Sequence, residues 1–198
     1  EFADRETSYM DVIRDSIEEQ AEAALNAQRE LPLYRHDATY AREQGDLDLY
    51  RASRRANIAC KEAIENAIAE NYRDNRLGGD AVPQVIEQFG YTRTLYVLAN
   101  TVQQKDWDGR FSPANKAWAK TVDIPPNPDG FGGNRNLDFV VDSHPTVLNG
   151  FIDLVREEQR SRVQAEKAQL SKTSVREKLK QEPPARKPAV PKKREPER

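Results

Sequence analysis

Residues 46–72, DLDLYRASRRANIACKEAIENAIAENY, contain the strongest helical pattern in the chain and decide its fold class. Small and apolar side chains recur there at steps of three and four residues, which is the spacing that places them on one face of an α-helix. That face consists of Cys60, Ala63, Ile64, Ala67 and Ile68. Because Asp46 or Asp48 is a suitable N-cap, the stretch predicts a long helix that packs one face into a core.

Two further helical patterns precede this helix. Residues 5–30 have apolar side chains at the same steps, but their face is thin and rich in alanine, and Leu31-Pro32 ends the pattern. Residues 37–44 form a shorter pattern that ends at Gly45, which suits a left-handed C-cap. We therefore expect an N-terminal amphipathic helix or connector, followed by a short helix.

Capping residues divide the rest of the chain into further helices. Asp80 and Gly90 bound one of them, and a second helix starts just after Gly90. Ser112-Pro113 combines an N-cap residue with proline at the first helical position. Residues 143–145 have similar start signals, so we expect the last core helix to begin there.

The predicted fold class is mostly α: a compact bundle of about six helices with long flanking helices, at most one short strand and a disordered tail. Residues 137–141 are the candidate strand. The chain is expected to contain an N-terminal helix or connector, a globular helical core, a charged helical extension and a basic Pro-rich tail that cannot form a packed core. The bounds of these segments are residues 1–30, 31–156, 157–180 and 181–198.

Charge and composition narrow the compartment and the partners. Residues 171–198 hold ten lysines and arginines against four glutamates, which leaves residues 1–170 at about −8 within a chain of net charge −2. An acidic body argues against nucleic-acid binding by charge alone. The chain has one cysteine, no apolar run near the ~18 residues of a membrane span and no signal peptide, so we expect a cytoplasmic protein without membrane contact. It begins without methionine, which suggests a segment of a longer protein.

Five short stretches carry a resemblance to a known family. They are LYRASR at 49–54, ACKEAI at 59–64, YVLANTV at 96–102, KDWDGR at 105–110 and FVVDSHP at 139–145. Through them the block from Tyr34 to about Arg156 resembles the family numbered 3849 among domains of unknown function, found in bacterial gut metagenomes and mobile elements. The resemblance implies no activity and gives no residue a role. It implies a context of large proteins of conjugative elements and phages, where anti-defence and DNA-transfer functions are common neighbours.

The turn Asp106-Trp107-Asp108-Gly109 is the first candidate site. Its start is similar to a calcium loop, but Arg110 stands where an oxygen ligand belongs and the glycine comes at the fourth position instead of the sixth. We therefore favour an ordinary turn in which Trp107 packs inward. With two histidines and one cysteine, a closed zinc site of the Cys/His type cannot form within one chain, and we predict no metal and no cofactor.

Hydrogen-bonding side chains concentrate around this turn and the two tryptophans. The predicted binding residues are Asn100, Asp106, Trp107, Asp108, Arg110, Asn115 and Lys116. Two interpretations stay open for them: they line a cleft or a protein-binding patch, or they tie down loops between packed helices. We favour the second, in which Asp108 and Arg110 fix the turn and Asn100 satisfies buried backbone.

Arg51, Arg54 and Arg55 complete the predicted binding residues. They lie three and four positions apart on one helical face, where they are suited to bind phosphate or an acidic protein surface, or to pair with nearby carboxylates. No catalytic residue is predicted. Cys60 is expected to be a small buried hydrophobe, and Asp142-Ser143-His144 is expected to be a helix cap although it has the letters of a catalytic triad.

These observations favour a non-catalytic protein-interaction module of a bacterial mobile-element or phage protein, with an anti-defence role or the inhibition of a host machine as its context. The expected partner is another protein. Two alternatives stay open. One is an enzyme of unrecognised type that uses carboxylates near Asp106 and Asp108. The other is nonspecific nucleic-acid association through the tail at residues 171–198.

Overall fold

The computed structural model describes residues 2–126 and 136–180, and in that part of the chain it contains six α-helices, one short hairpin and one 3-10 helix. The helices are α1 Phe2–Glu30, α2 Ala38–Gln44, α3 Leu47–Asn71, α4 Ala81–Gln104, α5 Pro113–Ala119 and α6 Pro145–Lys180. The hairpin pairs β1 Tyr72–Arg73 with β2 Arg76–Leu77 in antiparallel fashion, and the 3-10 helix is Leu137–Phe139. The prediction of a mostly α fold with about six helices is confirmed.

The strand predicted at residues 137–141 is a 3-10 helix followed by extended backbone. The Val140 amide donates back to the Leu137 carbonyl at 3.3 Å, and the Val141 amide donates to the Thr101 hydroxyl at 3.0 Å. Since a side chain of α4 takes the amide that a neighbouring strand would need, no ladder forms there. The described strands lie instead around Asp74 and Asn75, whose positive φ angles of 51° and 59° suit a two-residue hairpin turn.

The predicted caps Gly45 and Ser112 are confirmed, whereas Asp46 and Asp80 precede α3 and α4 without a side-chain cap hydrogen bond. Asp37 Oδ1 accepts a hydrogen bond from the Tyr40 amide at 2.8 Å at the start of α2. Gly45 ends α2 in the left-handed conformation, with a φ of 79°. Ser112 Oγ accepts from the Asn115 amide at 3.1 Å at the start of α5. These short-range signals work because a cap needs only residues that are close in sequence.

Gly90 interrupts α4 without ending it. Its φ of 71° and ψ of 166° are not helical, yet helical residues continue on both sides of it. The Thr94 hydroxyl donates to the Gly90 carbonyl at 2.8 Å, which satisfies an acceptor that the kink exposes. The two helices predicted on either side of Gly90 are therefore both present, and they meet at a kink within the element labelled α4.

The core lies between α3, α4, α5, the 3-10 helix and the first turns of α6. Its largest fully buried side chains include Phe111, Phe139, Phe151, Ile64, Leu98, Leu148 and Ile152. Cys60 is fully buried in the same cluster, as predicted, and burial raises the pKa of its thiol to about 12. A thiol with that pKa and no access to solvent is not a nucleophile near neutral pH.

A buried arginine joins the core to the residues that follow α1. Arg93 of α4 is 2% exposed, and its guanidinium donates to the Leu31 carbonyl at 2.8 Å, the Ser53 carbonyl at 3.0 Å and Asn57 Oδ1 at 2.5 Å. These acceptors come from two other segments of the chain. The contacts, called here the Arg93 network, therefore fix the end of α1 against α3 and α4.

The chain divides into two compact units, residues 1–159 and 160–198. In the first unit, every described side chain of α1 is exposed, including Ile13 and Ile17. In the second unit, the described side chains at 160–168 are exposed, and the predicted tail at 181–198 lies outside the described residues. No helix in the described part of the chain has the length and apolar character to cross a membrane.

Candidate functional site

The turn between α4 and α5 holds Trp107 in solvent. The indole is 82% exposed, so the expectation that it packs inward is wrong. The inward positions of this turn belong to Asp108 and Phe111, which are 6% and 2% exposed. The Asp108 amide donates to the Lys105 carbonyl at 2.9 Å and the Phe111 amide to the Asp108 carbonyl at 3.3 Å. This backbone geometry directs Trp107 outward.

Asp108 and Arg110 lock the turn. Asp108 Oδ1 accepts from the Arg110 amide at 2.9 Å and from Arg110 Nε at 3.0 Å, and Oδ2 accepts from Arg110 NH2 at 2.8 Å. These hydrogen bonds lower the pKa of Asp108 to about 2. The carboxylate is ionised at every physiological pH, and more than half of the Arg110 side chain stays exposed beside Trp107.

Asp106 ties the same turn to α5. The Lys116 ammonium donates to the Asp106 carbonyl at 2.5 Å, and the Lys120 ammonium lies 3.2 Å from Asp106 Oδ2. Lys116 is in α5 and Lys120 is its C-cap, so the two lysines hold the turn from one side. Three of the predicted binding residues, Asp106, Asp108 and Lys116, thus fix the backbone that carries Trp107.

Asn115 and Asn100 lie in the interior. Asn115 Oδ1 accepts from Arg156 NH1 at 2.7 Å, and its Nδ2 donates to Asn149 Oδ1 at 3.1 Å, which joins α5 to α6. Asn100 Nδ2 donates to the Asn136 carbonyl at 2.9 Å, which agrees with the prediction that Asn100 satisfies buried backbone. Its Oδ1 is buried and accepts no hydrogen bond from a described residue.

The start of α6 completes a concave surface beside the turn. This surface, called here the Trp107 surface, has a cavity volume of about 480 Å3 and is lined by Lys105, Trp107, Asp108, Arg110, Asp142, Ser143, His144 and Pro145. The Lys105 ammonium donates to the Val141 carbonyl at 3.0 Å, so it bridges the two segments. Sequence reasoning did not assign a binding role to Lys105 or to residues 142–145. Both belong to the stretches 105–110 and 139–145 that carry the family resemblance, which was the signal in the sequence that could have identified them.

Asp142, Ser143 and His144 have the residue types of a catalytic triad but do not form one. His144 Nδ1 accepts from the Thr146 amide at 3.3 Å, and the His144 carbonyl accepts from the Leu148 amide at 3.0 Å. His144 is therefore the N-terminal cap of α6, which confirms the helix-cap interpretation of this segment. The cap is made by the histidine and not by Ser143.

The three predicted arginines of α3 do not line the Trp107 surface. Arg54 forms an ion pair with Asp138, donates to Asn136 Oδ1 at 3.2 Å and lies 5.5 Å from the ring centre of Phe139. Arg51 lies 3.5 Å from Asp48, and both are exposed, as is Arg55. The pairing of Arg51 and Arg54 with carboxylates matches the structural interpretation of the cluster, and the predicted binding role of all three stays a prediction.

The described residues contain no group of three or more His, Cys, Asp or Glu side chains arranged to hold a metal ion. The glycine-rich sequence Gly-Phe-Gly-Gly at 130–133 and the basic segment at 181–198 lie outside the described residues. The side chains of residues 171–180 are likewise not described, so the nucleic-acid alternative stays a prediction from charge.

A family model described as "Protein of unknown function (DUF3849)" matches residues 33–160. No curated protein and no solved structure matches the chain. The match spans more than half of the sequence and includes every predicted binding residue. The expected resemblance is thereby confirmed, and the chain belongs to the DUF3849 family.

Proposed function

We propose that the domain is a non-catalytic protein-interaction module and that the Trp107 surface is its contact site. The observation that carries the proposal is the 82% exposure of Trp107 on a turn that hydrogen bonds hold in place. Tryptophan and arginine are enriched among the side chains that dominate binding energy at protein interfaces. An exposed indole beside an exposed guanidinium is that combination.

Rigidity of the turn supports the proposal. Asp108 holds Arg110 with backbone and side-chain hydrogen bonds, and Lys116 and Lys120 hold Asp106. A side chain that is already fixed loses less conformational entropy when a partner covers it. The turn therefore presents Trp107 and Arg110 at a lower entropic cost than a flexible loop would.

The same contacts argue against the enzymatic alternative. A general base near neutral pH needs a pKa close to that pH, whereas the pKa of Asp108 is lowered to about 2. His144 Nδ1 is engaged by the Thr146 amide. The carboxylates of the turn are thus used to position backbone and basic side chains.

The cellular context remains part of the proposal. A cytoplasmic module of a bacterial mobile-element or phage protein, with an anti-defence or host-inhibitory role, rests on the family resemblance alone. A partner that belongs to a defence system or to a host machine would support this context.

The proposal is tested by affinity capture from bacterial lysate with the full chain, with and without nuclease. A protein partner held near one to one should survive nuclease and bind Trp107→Ala about 30-fold more weakly, as expected for an interface hot spot. Tyr72→Ala is the matched control, because Tyr72 is an exposed aromatic residue on the hairpin. Undiminished capture by Trp107→Ala, or the absence of any stable partner, would contradict the proposal.

A further inference from the structure

A second cavity, called here the aromatic pocket, shares no lining residue with the Trp107 surface. Its aromatic walls are Tyr34, Tyr50, Tyr96 and Phe139, which come from the loop before α2, from α3, from α4 and from the 3-10 helix. The ring centres of Tyr34 and Tyr50 lie 6.0 Å apart, and those of Tyr96 and Phe139 lie 6.1 Å apart. Ring contacts of this kind hold the walls in fixed positions.

The Arg93 network forms one side of this pocket. Ser53 and Asn57 line the cavity, and both accept hydrogen bonds from the Arg93 guanidinium behind them. Every hydrogen-bond acceptor of Arg93 among the described residues is a neutral oxygen. A buried positive charge without a carboxylate partner acts strongly on its surroundings, because few water molecules screen it. One layer of residues therefore separates the cavity from a positive charge that attracts anions.

Two donors on largely buried side chains of the pocket have no acceptor among the described residues. Asn57 is 4% exposed, and because Arg93 can only donate, the amide must offer it Oδ1 and leave Nδ2 unpaired. Tyr96 is also 4% exposed, and its hydroxyl makes no hydrogen bond to a described residue. Burial raises the pKa of Tyr96 to about 12, so the hydroxyl retains its proton and remains a donor near neutral pH. Because neither donor atom is fully enclosed, a water molecule or a ligand can reach both and supply the acceptor.

Charged side chains of both signs lie around the edge of the pocket. The Arg35 guanidinium lies 5.9 Å from the ring centre of Tyr96, and the Arg54 guanidinium lies 5.5 Å from that of Phe139. Carboxylates oppose them: Asp138 pairs with Arg54, and Asp37 lines the cavity while capping α2. Asp46 accepts from the Tyr34 hydroxyl at 3.5 Å, and Asp123 acts on Tyr96. Asp37, Asp46 and Asp138 each already accept a hydrogen bond from the protein, so the preference for an anion rests on the buried charge of Arg93.

The size of the pocket limits the ligand. Its cavity volume of about 20 Å3 is enough for one ordered water molecule, or for one oxygen atom of a ligand in its place. A carboxylate oxygen can take this place, because it is negatively charged and can accept from both donors. We propose that the aromatic pocket binds a carboxylate group, with Asn57 Nδ2 and the Tyr96 hydroxyl as its hydrogen-bond donors. The proposal does not depend on the role of the Trp107 surface.

The test is an NMR titration of the full 15N-labelled chain with acetate at constant ionic strength, and with acetamide as the neutral analogue of the same shape. Acetate should shift the side-chain amide signals of Asn57 in a saturable way, and acetamide should not. Tyr96→Phe keeps the ring and removes one donor, so acetate should bind at least about tenfold more weakly, as expected for a lost hydrogen bond to a charged group.

Tyr91→Phe is the matched control, because Tyr91 is on the same helix and its hydroxyl donates to Glu158 Oε1 at 3.0 Å outside the pocket. This variant should bind acetate as the parent chain does. Thermal unfolding of both variants separates lost binding from lost folding. Shifts that do not saturate, that acetamide reproduces or that Tyr96→Phe leaves unchanged would show that the pocket holds water only, and would overturn the proposal.

N-Acetylglycine distinguishes two sources of the carboxylate. If it binds at least as tightly as acetate, the pocket takes the terminal carboxylate of a peptide. If acetate binds and N-acetylglycine does not, the pocket closes around a free small carboxylate. Both results support a carboxylate site and assign it to one class of ligand.

Discussion

Two arginines on either side of the C-terminal end of α4 show opposite uses of the same side chain. Arg93 is 2% exposed and donates to residues 36 or more positions away, in the segment after α1 and in α3. Arg110 is largely exposed and donates to Asp108, two positions away. The first joins distant parts of the fold. The second fixes one turn and leaves the rest of its surface for contact with something else.

Of the substitutions that test this comparison, Arg93→Met should have the largest effect. This change is expected to lower the free energy of unfolding by about 3–5 kcal/mol, because it leaves the Leu31 carbonyl, the Ser53 carbonyl and Asn57 Oδ1 without their buried donor. Trp107→Ala should alter it by no more than about 0.5 kcal/mol, since an exposed side chain loses little on truncation. Urea denaturation followed by circular dichroism measures both. Equal, small effects would show that the Arg93 network does not hold the fold.

A substitution at Gly90 tests the same interior region and should lower the free energy of unfolding by a smaller amount. With a φ of 71° and a ψ of 166°, Gly90→Ala should cost about 1–3 kcal/mol through backbone strain, although the added methyl group meets open space. Gly79→Ala is the control, because its methyl group also meets open space and its φ is not in the left-handed range. Thermal unfolding of the two variants should differ. If they unfold alike, the kink that precedes Arg93 in α4 is not strained by a side chain.

The sequence allowed the helices to be predicted because their signals are local. Gly45, the Ser112-Pro113 pair and the apolar face of α3 each need only neighbouring residues to take effect. The strand prediction at 137–141 was wrong because its outcome depends on Thr101, about 40 positions earlier, which takes the Val141 amide. Local propensity cannot decide where a distant side chain will compete for a backbone group.

The candidate site shows the same limit. The predicted importance of residues 106–110 came from their composition, but Trp107, Asp108 and Phe111 compete for the inward positions of one turn, and only the packed fold decides among them. The aromatic pocket was missed altogether, because its walls come from segments as far apart as Tyr34 and Phe139. The aromatic and basic residues that meet there are separate in the sequence.

The smallest expected effect concerns the lock between Asp108 and Arg110. Because the folded-state pKa of Asp108 is lowered from an ordinary value of 3.8 to about 2, its carboxylate stabilises the folded chain above about pH 4. That contribution is lost as the pH falls toward 2, where the folded carboxyl group takes up its proton. The melting temperature of Asp108→Asn should therefore lie below that of the parent chain by a constant amount from pH 7 to about pH 5. The gap should narrow between pH 4 and pH 2.

Trp107→Ala is the control for this titration, because it retains both partners of the ion pair and should follow the parent chain at every pH. A gap that stays constant down to pH 2 would show that the charge of Asp108 does not fix the turn. Absence of a gap at pH 7 would show that the backbone contacts of residues 105–111 hold the turn without the side chains. In that case the exposed position of Trp107 would follow from backbone geometry alone. Arg110, unlike Arg93, would then not contribute to the stability of the fold.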